Sequence, residues 1–295
     1  MKRKLLLSLL GLCGALFAEL PDSIVMQAQD IKVRLDSRKR WNINRIEWKG
    51  RLVCIDNPGA HYGMTCRPKG SPHFIGSGHT ESGAGEEVIS VKLFSDGREV
   101  VPGDGPITGK SVGMEKVSSV HKLRVRYTFR IEDDVIAERT EITSPDEEVP
   151  LRQLYCSMHP WSTRFTDYHI ISADGTKRNG KFVTDGKHRN RVFVPLVNWY
   201  DDRSGIIVST AVEKPSWSVG LQRLLWDIRS YRKDYVCLVM NGVFPANTTA
   251  VCRVRTTFAL QKDPEKWAAD AEALGGKLLR SFAADDSKTE KSGQK

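Results

Sequence analysis

The stretch HKLRVRYTFRI, residues 121–131, decides the fold. Leu123, Val125, Tyr127, Phe129 and Ile131 fall on one side, and Lys122, Arg124, Arg126 and Arg130 fall on the other. Successive side chains of a strand point to opposite faces, so a period of two with this polarity marks an antiparallel strand with one dry face and one wet face. The acidic turn EDD follows, and VIAERTEITS (135–144) repeats the alternation as its hairpin partner.

The same texture extends outward in both directions. DIKVRL, RIEW, RLVCI and EVISVKLF precede the hairpin; RVFVPLVNWY, GIIVSTAV, YVCLVM and AVCRVRTTFAL follow it. DNPG, SDG, ADG, TDG, DDRSG and MNG supply turn chemistry between them. Many strands, Gly/Asp turns and little helical periodicity predict an all-β fold, a large antiparallel β-sandwich forming one domain over residues 24–262. No fixed-period repeat is present, which argues against a propeller. Asp263 and Pro264 make a helix start, and EKWAADAEAL continues with helical spacing, so a short C-terminal helix is expected over 263–282, interrupted at Gly275 and Gly276. The polar remainder, 283–295, reads as a disordered tail.

At the other end, Lys2, Arg3 and Lys4 precede an apolar run from Leu5 to Ala18. The run has the length of a signal-peptide core and falls short of the roughly 20 residues that a membrane span needs. Residues 1–18 are therefore read as a signal peptide, cleaved after Ala18; a lipoprotein reading at Cys13 has Leu12 where a small residue is wanted. The expectation is an exported protein, periplasmic or extracellular, with no stable membrane insertion once the leader is gone. Loss of the three leader cations takes the formal net charge from +9 to +6. That mildly basic balance suits anionic polymers. No basic tract interleaved with aromatics occurs, so nucleic acid is not an expected partner.

Export changes how cysteines read. Cys54 with Cys66, and Cys237 with Cys252, are candidate disulfides, each worth about 2–4 kcal/mol if formed; buried free thiols are the equal alternative. Five cysteines remain after the leader, so one stays unpaired, and Cys156 in LYCSM is the expected one.

Two polar clusters carry candidate chemistry. GSGHTESGAGEEV (76–88) sets His79, Glu81, Glu86 and Glu87 between glycines. His79 and Glu81 are candidate catalytic residues, one donating a proton and the other accepting it or orienting its partner; the alternative is a solvated loop. His61 and Tyr62 in NPGAHYG are candidate substrate contacts. A metal site from His61, His73, His79 and Glu81 matches no strong ligand template, and none is expected. The second cluster, YCSMHPWSTRFTDYH (155–169), supplies His159 as a third catalytic candidate, with Trp161 and Arg164 beside it. An indole face stacks on the apolar face of a pyranose and a guanidinium forks onto hydroxyls or a carboxylate. A core tryptophan and a surface arginine are the alternative. Trp199 and Tyr200 in VNWYDDRSG complete the candidate substrate-binding set, with core packing as the alternative for each. No GxSxG elbow, phosphate loop or dinucleotide fingerprint is present, so no cofactor is expected.

RIEWKGRLVCID, EVISVKLFSDG, MHPW, FVPLVNWYDDRSGIIVST and VFPANTTAVCRVRTTFAL occur in an order that resembles the galactose-mutarotase-like superfamily over about residues 30–262. That superfamily includes aldose epimerases and the supersandwich domains of polysaccharide lyases and glycosidases. The resemblance implies a supersandwich whose concave face binds carbohydrate, with a histidine as general acid and a late glutamate as base. His159 matches the acid. Glu213 is the late glutamate that could stand for the base; otherwise Glu81 or Glu86 takes that role. The expected function is that of an exported carbohydrate-active protein using His/Glu acid–base chemistry on a glycan or oligosaccharide, with uronate polymers favoured by the charge. Lyase, epimerase and hydrolase stay open within it, and a non-catalytic carbohydrate-binding module of the same fold is the alternative.

Overall fold

The structure, a computed structural model, describes residues 20–54, 61–76 and 85–292, with side chains described through residue 283. The leader reading and most of the predicted tail thus lie outside the described residues or side chains. Strands β1 (Ser23–Ala28), β2 (Ile31–Asp36), β3 (Asn42–Trp48) and β4 (Arg51–Cys54) form a meander, and β5 (Thr65–Pro68) follows. Strands β6 (Glu87–Ser95), β7 (Arg98–Val100), β8 (Ile107–Thr108), β9 (Val112–Val120), β10 (Leu123–Glu132) and β11 (Val135–Thr143) come next. The long β12 (Val149–Trp161) leads to β13 (Asp167–Ile171), β14 (Lys177–Lys181), β15 (His188–Asn190), β16 (Leu196–Asp201) and β17 (Ile206–Val212). Strands β18 (Gln222–Asp227), β19 (Arg232–Phe244) and β20 (Thr249–Leu260) precede helix α1 (Trp267–Ser292).

Among the described residues these strands build two ten-stranded sheets. One runs β15-β18-β19-β12-β4-β3-β2-β1-β8, with β5 also paired to β12; the other runs β14-β13-β16-β17-β20-β11-β10-β9-β6-β7. Neighbours are antiparallel except β1 with β8. The deciding hairpin is β10–β11, paired from Arg124 with Thr143 to Glu132 with Val135. Leu123, Val125, Tyr127, Phe129 and Ile131 are all buried between the sheets. Each such side chain contributes about 1.5–3 kcal/mol. On the wet face Arg126 pairs with Glu115 and Arg130 with Glu132, each at 2.6 Å. Exposed pairs of this kind are worth under about 1 kcal/mol.

Buried ion pairs interrupt the apolar interior, among them those of Lys116 and Arg223. Lys116 of β9 meets Glu86 at 2.7 Å, donates to Asn42 Oδ1 at 2.7 Å and to the Arg40 carbonyl, while Ser118 and Asn42 donate to the Glu86 carboxylate. Glu86, one of the carboxylates of the 76–88 stretch, therefore ties the second sheet to β3 and is sealed from solvent. Arg223 of β18 forks onto Asp234 of β19 at 3.0 and 2.7 Å and also donates to the carbonyls of Val194 and Thr210.

Of the two readings of the cysteines, the candidate disulfides are not formed: the five described cysteines are buried free thiols. Cys54 and Cys66 sit in different apolar clusters, as do Cys237 and Cys252. The C-terminal helix starts at Trp267 and passes through Gly275 and Gly276 without a break. Its glycine serves packing. A Cβ on Gly275 would lie 2.4–2.9 Å from Leu196, so the missing side chain lets the helix settle on β16. Trp267 stacks on Tyr200 with centroids 4.9 Å apart and planes 3° apart. No described helix is long and apolar enough to cross a membrane.

Candidate functional site

Strand parity locates the site. In β18, Arg223 and Leu225 point between the sheets, so Gln222, Leu224 and Trp226 point to the outer side of the first sheet. In β19, Asp234 points inward to Arg223, so Lys233 and Tyr235 point outward. Both strands line one cavity of about 640 Å³ on that outer face. Strand β12 adds Gln153, Tyr155 and Met158, while His61 and Phe74 close one side and His188 and Arg191 the other.

The walls are aromatic. Tyr155 packs on Phe74 (centroids 5.7 Å apart) and on Tyr235 (4.8 Å), and Trp226 lies parallel to His188 at 5.7 Å and 6°. Trp226 Nε1 is fixed by the Gly186 carbonyl at 2.7 Å, and Arg191 reaches His188 Nδ1 at 3.3 Å. Burial and the Arg191 charge hold His188 below the ordinary histidine value.

Lys233 is the chemically distinctive group. It is 1 % exposed. Its Nζ donates to the His61 carbonyl and lies 5.1 and 5.5 Å from the ring centres of Tyr231 and Tyr235. Burial pulls its pKa down to about 7, with the Cys54 thiol opposing the shift and Lys39 adding to it. The nearest strand carboxylates are committed elsewhere: Asp234 to Arg223, and Asp227 to Arg189 and Arg232. Among the described residues lining the cavity none is a carboxylate.

The predicted site residues separate accordingly. His61 lines the cavity; His79 and Glu81 lie outside the described residues. His159 is buried between the sheets, its Nε2 2.9 Å from Glu138 of β11, with Tyr62 stacked on its ring at 4.7 Å. Tyr127 donates to the same carboxylate at 2.8 Å. The pairing of β12 with β19 is irregular between Tyr155 and Ser157. That irregularity exchanges the faces: Gln153 and Tyr155 look into the cavity, yet after it Met158 does, and His159 and Trp161 look inward. Trp161 and Trp199 are fully buried core, Trp199 stacked on Phe182 at 5.3 Å. Tyr200 lies beneath α1, its hydroxyl donating to the Gln261 carbonyl at 3.0 Å. Arg164 is exposed and is not among the cavity residues. Glu213 pairs with Arg253, away from the cavity. Missing from the sequence reading are Lys233, Tyr235, Tyr155, Trp226, His188 and Arg191; a tyrosine two residues to either side of Lys233 (Tyr231 and Tyr235), at the spacing of one strand face, was the available signal.

The two large antiparallel-rich sheets have the galactose-mutarotase-like fold. Two solved structures show the likeness. The Slr1438 protein from Synechocystis sp. PCC 6803 superposes with a TM-score of 0.55 at 8% identity, over 82% of this chain and 96% of that one. A galactose mutarotase-like protein from Lactobacillus casei ATCC 334 gives 0.53 at 7% identity, over 80% and 100%. No protein-family model matches the chain, and no curated protein matches it by sequence.

Proposed function

We propose that this is an exported carbohydrate-active protein that holds a uronate-bearing glycan in the cavity on the outer face of the first sheet. The observation that carries the reading is the composition of that cavity: aromatic walls from Phe74, Tyr155, Trp226 and Tyr235, with Arg191 and Lys233 as its cations and no described carboxylate. Aromatic faces suit the C–H face of a sugar ring, and a few fixed polar groups set orientation. An anionic substituent suits the two cations. The galactose mutarotase-like name of one structural neighbour agrees with a sugar ligand.

Within this reading Lys233 exchanges the proton. An amine with a pKa of about 7 is part neutral and part charged at neutral pH, the condition under which a general base and its conjugate acid both serve. It would remove the C5 proton beside the uronate carboxylate while Arg191 steadies the developing enolate. The enolate's electron pair then forms the C4–C5 double bond as the C4–O bond breaks, and the departing oxygen takes back the proton from the lysine ammonium. That is the β-elimination of a lyase. A non-catalytic binder is the second reading, favoured by the lack of a described carboxylate to act as the partner acid or base.

Calorimetric titration with uronate oligosaccharides tests the common ground. Trp226→Ala is expected to weaken binding about 10-fold, or about 1.4 kcal/mol. Arg191→Ala should do the same for uronates and leave the neutral analogues unchanged. Raising salt should weaken binding of the acidic glycan only. Equal affinity for neutral and acidic glycans removes the uronate assignment. Absence of an unsaturated product, with binding intact, selects the binder.

A further inference from the structure

We propose that Lys233 is a carbonyl-capturing nucleophile, whose ε-amine adds to the open-chain aldehyde or ketone of a reducing sugar in the cavity and forms an imine. The inference rests on the carbohydrate reading above and adds covalent chemistry to it.

The geometry carries it. Lys233 lines the cavity while almost fully buried, so its amine meets a ligand away from bulk water. Its described hydrogen-bond partner is a carbonyl oxygen, that of His61, and not a carboxylate. Each nearby acid on the same strands is held by an arginine: Asp234 by Arg223, and Asp227 by Arg189 and Arg232. A neutral amine can give one N–H to the His61 carbonyl and keep its lone pair for attack. The downward shift of its pKa to about 7 supplies that neutral form near neutrality. The nitrogen lies over the rings of Tyr231 and Tyr235, so a planar C=N group formed on it would have aromatic faces beside it.

The step balances without a redox partner. The nitrogen lone pair forms the C–N bond as the carbonyl π pair moves to oxygen, and a nitrogen proton passes to that oxygen, giving a carbinolamine. The C–O bond then breaks, the second nitrogen proton leaves with the oxygen as water, and the C=N bond forms. The net change is amine plus carbonyl to imine plus water.

The test uses the full chain with D-glucuronate and cyanoborohydride at pH 7, followed by peptide mass spectrometry. Reduction of the imine fixes the sugar to the lysine. Labelling of Lys233 at least 10-fold faster than of exposed Lys177, Lys181 or Lys187 is expected. Lys233→Arg should abolish that adduct. The methyl glycoside of glucuronate cannot open, so it should slow labelling of Lys233 in the unaltered protein without being trapped itself. Calorimetric binding of glucuronate with no Lys233 adduct, or labelling spread evenly over the exposed lysines, overturns the proposal and leaves the carbohydrate reading standing. Neither binding nor labelling overturns both.

Discussion

Lys233→Met is expected to stabilise the folded protein by about 3–5 kcal/mol at pH 6 and by almost nothing near pH 11. The lysine's pKa falls from 10.5 to about 7 on folding because its ammonium loses water and gains no described carboxylate. The sign follows from proton counting. Below about pH 7 both folded and unfolded chains carry the charge, and the folded state bears the whole cost of burying it. Between that value and 10.5 only the unfolded chain is protonated, so stability rises with pH. Above 10.5 both are neutral and the cost is gone. The groups facing this lysine are Cys54, Lys39, His61, Tyr231 and Tyr235, and buried thiols and phenols act in the opposite direction at high pH. The difference between wild type and variant cancels them. Urea unfolding of both proteins from pH 6 to 10.5 measures it; two parallel curves would mean the amine is solvated and cannot serve as proposed.

Lys116→Met should act in the other sense, costing about 3–5 kcal/mol and lowering Tm by roughly 10 °C. Lys116 and Glu86 are each 1 % exposed at the side chain. Burial pushes the Glu86 carboxyl up, but Lys116 and the hydrogen bonds from Ser118 and Asn42 outweigh it and hold the group below the usual carboxylate range. Removing the ammonium strands that carboxylate in the interior. Adding Glu86→Gln removes the stranded charge, so the double variant should recover about half of the loss. A single variant as stable as wild type would show that water reaches this pair.

The contrast between the two lysines explains what was legible in the sequence. The β10–β11 hairpin could be read because its alternation is unbroken over both strands, and burial of one face fixes register. The same rule fails in β12. The irregularity between Tyr155 and Ser157 moves His159 from the cavity side to the interior, and a single chain of letters carries no mark of it. Lys233 was hidden for a different reason: in SYRKDYV it stands in a charged run that looks solvated, and only the pairing of Arg232 with Asp227 and of Asp234 with Arg223 shows that its neighbours neutralise one another. Trp199 and Tyr200 adjoin a turn and so resembled a rim, yet one fills the core and the other lies under α1. The helix was read as broken at Gly275 because glycine weakens an isolated helix; its contact with Leu196 is tertiary and leaves no local trace.

Because α1 lies against β16, β17 and β20, it covers part of the sheet opposite the cavity-bearing one, and the molecule has a back and a front. A biosensor surface coupled at Ala273 or Lys277, on the helix's open side, should leave ligand capture intact. Coupling at Arg191 should blind it.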